Sequence, residues 1–110
     1  MNTREELRKL CIGICAELEG LAPTMFYDEE RDADCFVNVL GGSYYIGLDG
    51  EFHGVRLLIA FGGPTIYIDT LHMAVEGYWG CDEWNEPLGT SVADDINDYW
   101  ANCYNMVKGA

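Results

Sequence analysis

The sequence predicts an α+β fold: an antiparallel meander of about four or five strands with an N-terminal and a C-terminal helix packed on one face. Two observations carry this prediction. Apolar residues recur at helical spacing near both ends of the chain, and the middle holds short strand-like runs in quick succession. Those runs are separated by glycine-rich connections of the length that antiparallel hairpins use.

The first helix has both ends marked. Thr3 and Glu6 have capping-box spacing, Leu7, Leu10, Cys11, Ile14 and Leu18 form an apolar stripe, and Gly20 with Pro23 stops the run, which predicts a helix over residues 4–19. A short extended piece at 24–27 leads into DEERDAD at 28–34, which reads as a solvated loop. Strands are then expected at 35–40, 43–48, 51–61 and 65–71, with a further one between 73 and 79. Gly41-Gly42, Asp49-Gly50 and Gly62-Gly63-Pro64 supply the turns between them. Within 65–71, Ile66 and Ile68 alternate with Tyr67 and Asp69, so one face should be buried and the other wetter. The segment 76–87 (EGYWGCDEWNEP) is expected to be a loop joining the last strand to the last helix. Thr90 or Ser91 caps that helix, and Val92, Ile96, Tyr99, Trp100, Cys103 and Val107 are its buried stripe. Asp94, Asp95 and Asp98 fall off the stripe and should be exposed together.

Charge is the strongest functional signal. Nineteen Asp and Glu face six Lys and Arg in 110 residues, for a formal net charge of −13. The excess lies after residue 20, where Arg31 and Arg56 are the only bases before Lys108. Such a field opposes compaction and steers a protein toward cationic surfaces. The chain is nonetheless 49% hydrophobic with seven Tyr, four Phe and three Trp, which is a folding composition and not that of an acidic tail. Its length suits one domain with one modest core, without repeats or linkers. No apolar run is long enough for a transmembrane helix, and the charged start MNTREELRKL is unlike a signal peptide. With five cysteines at no paired spacing, the expectation is a cytoplasmic protein with free thiols.

Catalytic and metal motifs are absent from the sequence: it has no phosphate loop, dinucleotide fingerprint, nucleophile elbow or zinc-protease helix. Asp28, Glu30 and Asp32 alternate as in a calcium loop, but Ala33 stands where the turn needs Gly and Val39 where the bidentate Glu belongs. Cys11 and Cys15 lie one turn apart and read as small buried apolar residues. His53 and His72 read as hydrogen-bonded structural residues. No cofactor, metal or enzymatic activity is expected, and the domain should fold as a monomer without either staple.

Candidate functional residues are therefore carboxylates and aromatics. One cluster is Asp28, Glu29, Glu30, Asp32 and Asp34. A second combines Glu76, Trp79, Asp82, Glu83, Trp84 and Glu86, where Trp79 and Trp84 are either aromatic anchors among charges of the kind interfaces use or side chains folded inward to close the core. The third is Asp94, Asp95 and Asp98. Carboxylates on a rigid body can occupy a surface built for phosphates, while the same field repels nucleic acid itself.

In this character the chain resembles the phage-encoded anti-CRISPR proteins, in particular the acidic DNA-mimicking inhibitors of type I systems, with type I-C inhibitors the nearest in kind. The resemblance is carried by DEERDAD at 28–34, VEGYWGCDEWNEP at 75–87 and DDIND at 94–98, and by no signature motif. It implies a non-enzymatic cytoplasmic inhibitor that enters the basic DNA-recognition groove of a surveillance complex, on its large subunit, and blocks target DNA. The alternative expectation is an acidic interaction module of a mobile element that neutralises another nucleic-acid-binding protein, such as a restriction enzyme or a repressor. An enzyme or metal protein would instead require histidines and cysteines to converge.

Overall fold

The computed structural model describes residues 3–21 and 40–108. Of the expected strand at 35–40 only Leu40 is described, and it is not in a strand; residues 35–39, the extended piece at 24–27 and the acidic loop with Asp28, Glu29, Glu30, Asp32 and Asp34 lie outside the described residues. The rest is an α+β fold in which five sequential antiparallel strands form one sheet, in the order β1-β2-β3-β4-β5, between two helices.

Helix α1 (Thr3–Leu21) forms where the periodicity placed it. Leu7, Cys11, Cys15 and Leu18 recur every three or four residues and all are buried. This stripe lies on β4 (Ala74–Trp79) and β5 (Asp82–Pro87). Close approach is possible because Gly77 sits beneath it: a Cβ there would stand 2.7 Å from Leu7 Cδ1 and 2.8 Å from Cys11 Sγ.

The sheet begins with β1 (Gly41–Ile46) and β2 (Phe52–Ala60), joined by a turn at Asp49-Gly50 in which Gly50 has a φ of 83°. Strand β3 (Thr65–Asp69) follows the glycine-rich connection at 61–64, and the turn at 70–73 leads into β4. Register aligns Leu57, Ile68 and Val75 side by side on three neighbouring strands, and all three are buried. A one-residue slip would turn this apolar set outward, so burial fixes the pairing. Helix α2 (Thr90–Lys108) covers the same face, with Val92, Ala93 and Ile96 fully enclosed. Its far end is tied to the β1–β2 turn, where Tyr104 donates to the Gly50 carbonyl at 2.8 Å.

Three expectations are corrected. Residues 76–87 are not a connecting loop but a hairpin, in which β4 turns at Gly80-Cys81 into β5. Acids hid the strand because a sheet edge does not require an apolar alternation: Asp82, Trp84 and Glu86 are half-buried, while Glu83 and Asn85 are exposed. Gly41-Gly42 is not a turn but the start of β1, paired with Leu58 and Leu57. Finally, Asp69 lies on the face away from the helices, as the alternation implies, yet is only 1% exposed. Side chains from three strands and the following turn cover it.

Candidate functional site

The acidic residues named from the sequence fall into two groups. Asp94 and Asp98, one helical turn apart on α2, and Glu83 on β5 are exposed, and none of them pairs with a base among the described residues. Asp95 is half-buried beside them in sequence. Three of the described bases are engaged elsewhere. Arg8 pairs with Glu5 at 2.9 Å, Arg56 with Glu76 at 3.0 Å, and Lys108 donates to the Gly50 carbonyl.

The second group is turned inward. Asp82 accepts a hydrogen bond from the Thr3 hydroxyl at the start of α1. Glu86 accepts one from the Trp84 indole N–H at 2.9 Å. Trp84 itself packs against the core, with the Arg4 and Arg8 guanidinium groups 5.3 and 5.7 Å from its ring centroid. Trp79 is half-buried near Gly63. Of the two readings of Trp84, the inward one holds, and Asp82 and Glu86 are half-buried with it and do not ring an exposed anchor. These side chains fasten β5 to α1, because the even positions of the strand point at the helix.

Glu76 is also re-assigned. It belongs to a polar cluster on the sheet face opposite the helices, which the sequence reasoning did not assemble. Asp69 is its centre. Its Oδ2 accepts the Tyr45 O–H at 2.6 Å and lies 2.9 Å from His72 Nδ1, while its Oδ1 accepts the His72 backbone N–H at 2.8 Å. Arg56 Nε stands 3.8 Å from Asp69 Oδ2, and the same guanidinium donates twice to Glu76 Oε1, at 3.1 and 3.0 Å. Its carbon lies 3.6 Å from the Tyr67 ring centroid, so the cation is clamped between a carboxylate and a π-face. The turn that presents His72 contains Met73 at a φ of 56°, sparsely populated for a side chain of this size.

The electrostatics follow from this arrangement. Burial alone would push the Asp69 carboxyl up, but its hydrogen bonds from Tyr45 and His72 hold it below the ordinary carboxylate range. The hydrogen bond and charge of Asp69 raise the exposed His72 imidazole. Tyr45 is pushed up to about 12 by burial, and then by the hydrogen bond it gives to Asp69. Asp69, His72 and Glu76 each offer a ligand atom, all within 4.8 Å of one another. On the helix side, burial and then the Glu86 charge raise the Cys11 thiol to about 11, and Cys15 behaves alike. Both cysteines are buried, as their spacing implied, and Cys15 donates its S–H to the Pro87 carbonyl at 3.6 Å.

A cavity of about 250 Å³ opens between β1 and α2, lined chiefly by apolar groups including Tyr44, Leu57 and Trp100. The Trp100 indole N–H is buried and has no hydrogen-bond partner among the described residues. Among the described residues no helix is long and apolar enough to cross a membrane. No family model, curated protein or solved structure matches this chain.

Proposed function

We propose that this protein is a non-enzymatic acidic decoy that binds the cationic groove of a nucleic-acid-binding protein and excludes its DNA. The observation that carries the reading is the uncompensated acid on rigid elements: Asp94 and Asp98 on α2 and Glu83 on β5 are exposed and without a described counter-ion, in a chain of net charge −13. A helix rises about 1.5 Å per residue, so Asp94 and Asp98 stand about 6 Å apart along its axis. Each DNA strand carries a phosphate per roughly 3.4 Å of duplex axis, so this helix face supplies negative charge at about half the linear density of one strand. Because the helix and sheet are folded beforehand, presenting that charge needs little further ordering.

The partner the sequence character favours is the large DNA-recognition subunit of a type I CRISPR surveillance complex. The test is a mobility-shift assay with purified complex and labelled target DNA. Increasing inhibitor should release the DNA in direct competition. A complex that holds inhibitor and DNA together would overturn the decoy reading. Competition at a restriction enzyme or repressor but not at the surveillance complex would keep the decoy and replace the partner.

A further inference from the structure

We infer that Asp69, His72 and Glu76 form a binding site for one divalent transition-metal ion of the zinc type on the helix-free face of the sheet. Nothing in this inference depends on the acidic-decoy reading, since none of the three residues belongs to the exposed acidic set on α2 and β5.

The three ligand atoms lie within 4.8 Å of one another and come from one eight-residue stretch, D-x-x-H-x-x-x-E, across the β3–β4 turn. One imidazole and two carboxylates are a donor set suited to Zn²⁺, Co²⁺ or Ni²⁺, whereas Ca²⁺ and Mg²⁺ prefer oxygen ligands alone. His72 Nδ1 and Asp69 Oδ2 are already 2.9 Å apart. Two ligands on a tetrahedral ion with bonds of about 2.0–2.1 Å stand about 3.3 Å apart, so this pair has only a few tenths of an ångström to open. Rotation of the Glu76 side chain closes the remaining gap.

The supporting contacts are those a metal site needs. Ligating carboxylates are usually fixed by hydrogen bonds from groups behind them. Asp69 is 1% exposed and is held by the Tyr45 O–H on one oxygen and the His72 backbone N–H on the other. The His72 side chain is 63% exposed, so the outward coordination position faces solvent and stays open to water or an incoming ligand.

Arg56 is the competitor. Its guanidinium holds Glu76 Oε1 at 3.0 Å and approaches Asp69 Oδ2 to 3.8 Å, so the carboxylates already share a fixed cation. The ion enters from the His72 side, takes the second oxygen of Glu76, and leaves Arg56 on the Tyr67 ring. Arg56 therefore limits the affinity, and removing its charge should tighten the site.

The test must separate this site from diffuse attraction of cations to a body of charge −13. Zn²⁺ is titrated calorimetrically into the intact chain in millimolar Mg²⁺, which saturates diffuse binding. The expected result is one ion per chain, weakened at least about tenfold by His72→Ala, tightened several-fold by Arg56→Gln and unchanged by His53→Ala. Paramagnetic Ni²⁺ added to the wild-type chain should broaden the ring signals of His72 before those of His53, a readout that requires no variant. Loss of Zn²⁺ binding in Mg²⁺, binding indifferent to His72→Ala, or equal broadening of both imidazoles would each overturn the site.

Discussion

Tyr45 on β1 donates its phenol to the buried carboxylate of Asp69 at the end of β3, 2.6 Å away and across the intervening strand β2. One side-chain bond thus links strands that are not neighbours. Replacing Tyr45 by Phe leaves Asp69 with His72 as its remaining close donor. The expected cost is about 1–2 kcal/mol in urea denaturation, the price of an under-satisfied buried acceptor. A variant as stable as the wild type would mean that water replaces the phenol.

The same cluster should give stability a particular pH dependence. Asp69 is lowered in the folded state, so its contribution is present above the unfolded carboxylate value and lost as pH falls through the folded one. His72 is raised, so its contribution is present below the unfolded imidazole value and lost as pH rises through the folded one. Both act together between roughly pH 4 and 6.5. The melting-temperature advantage of the wild type over Asp69→Asn should therefore peak in that window and decline on either side. An advantage that does not vary with pH would contradict the coupling.

Gly77→Ala tests how tightly α1 sits on the sheet. The new methyl would meet Leu7 and Cys11 well inside contact distance, and overpacking of this kind typically costs about 1–3 kcal/mol. Thermal melts should show the loss, and Leu7→Val in the same chain should recover part of it.

Thiol chemistry should separate the cysteines of the described residues. Cys81 is exposed at the β4–β5 turn, whereas Cys11 and Cys15 are buried with thiols raised to about 11 by burial and the Glu86 charge. Since the thiolate is the reactive form, iodoacetamide near pH 8 should label Cys81 first and leave Cys11 and Cys15 unlabelled until the chain unfolds. Peptide mass spectrometry reads the order directly.

Charge reversal at Asp94 and Asp98 is expected to abolish partner binding while changing stability by no more than about 0.5 kcal/mol, because both are exposed. Wild-type binding should also weaken between about 0.1 and 0.5 M salt, as screening shortens. Full binding by Asp94→Lys/Asp98→Lys would remove α2 from the interface.

The elements set by apolar period were legible in the sequence. Leu7, Cys11 and Leu18 announced α1, Val92 and Ile96 announced α2, and Asp49-Gly50 marked a hairpin. Strand β5 was not legible, because Asp82, Trp84 and Glu86 use hydrogen bonds and a stacked indole where an internal strand would use apolar side chains. The exposure of Asp94 and Asp98 followed from helix geometry. The Asp69 cluster did not, since Arg56 and Tyr45 reach it only through the register of β2 with β1 and β3. A local signal did exist in the spacing of Asp69, His72 and Glu76, which a tight hairpin folds onto one spot.

The edge position of β5 gives its acids a further role. Among the described strands it has a neighbour on one side only, and a free edge invites a second sheet to add on. Here that edge carries Asp82, Glu83, Glu86 and the proline Pro87, which has no N–H to donate. Two copies meeting edge to edge would bring the exposed Glu83 of each, flanked by half-buried Asp82 and Glu86, against like charge. Exposed Glu83, which the proposed decoy would turn toward a cationic groove, thus also keeps copies of the molecule apart.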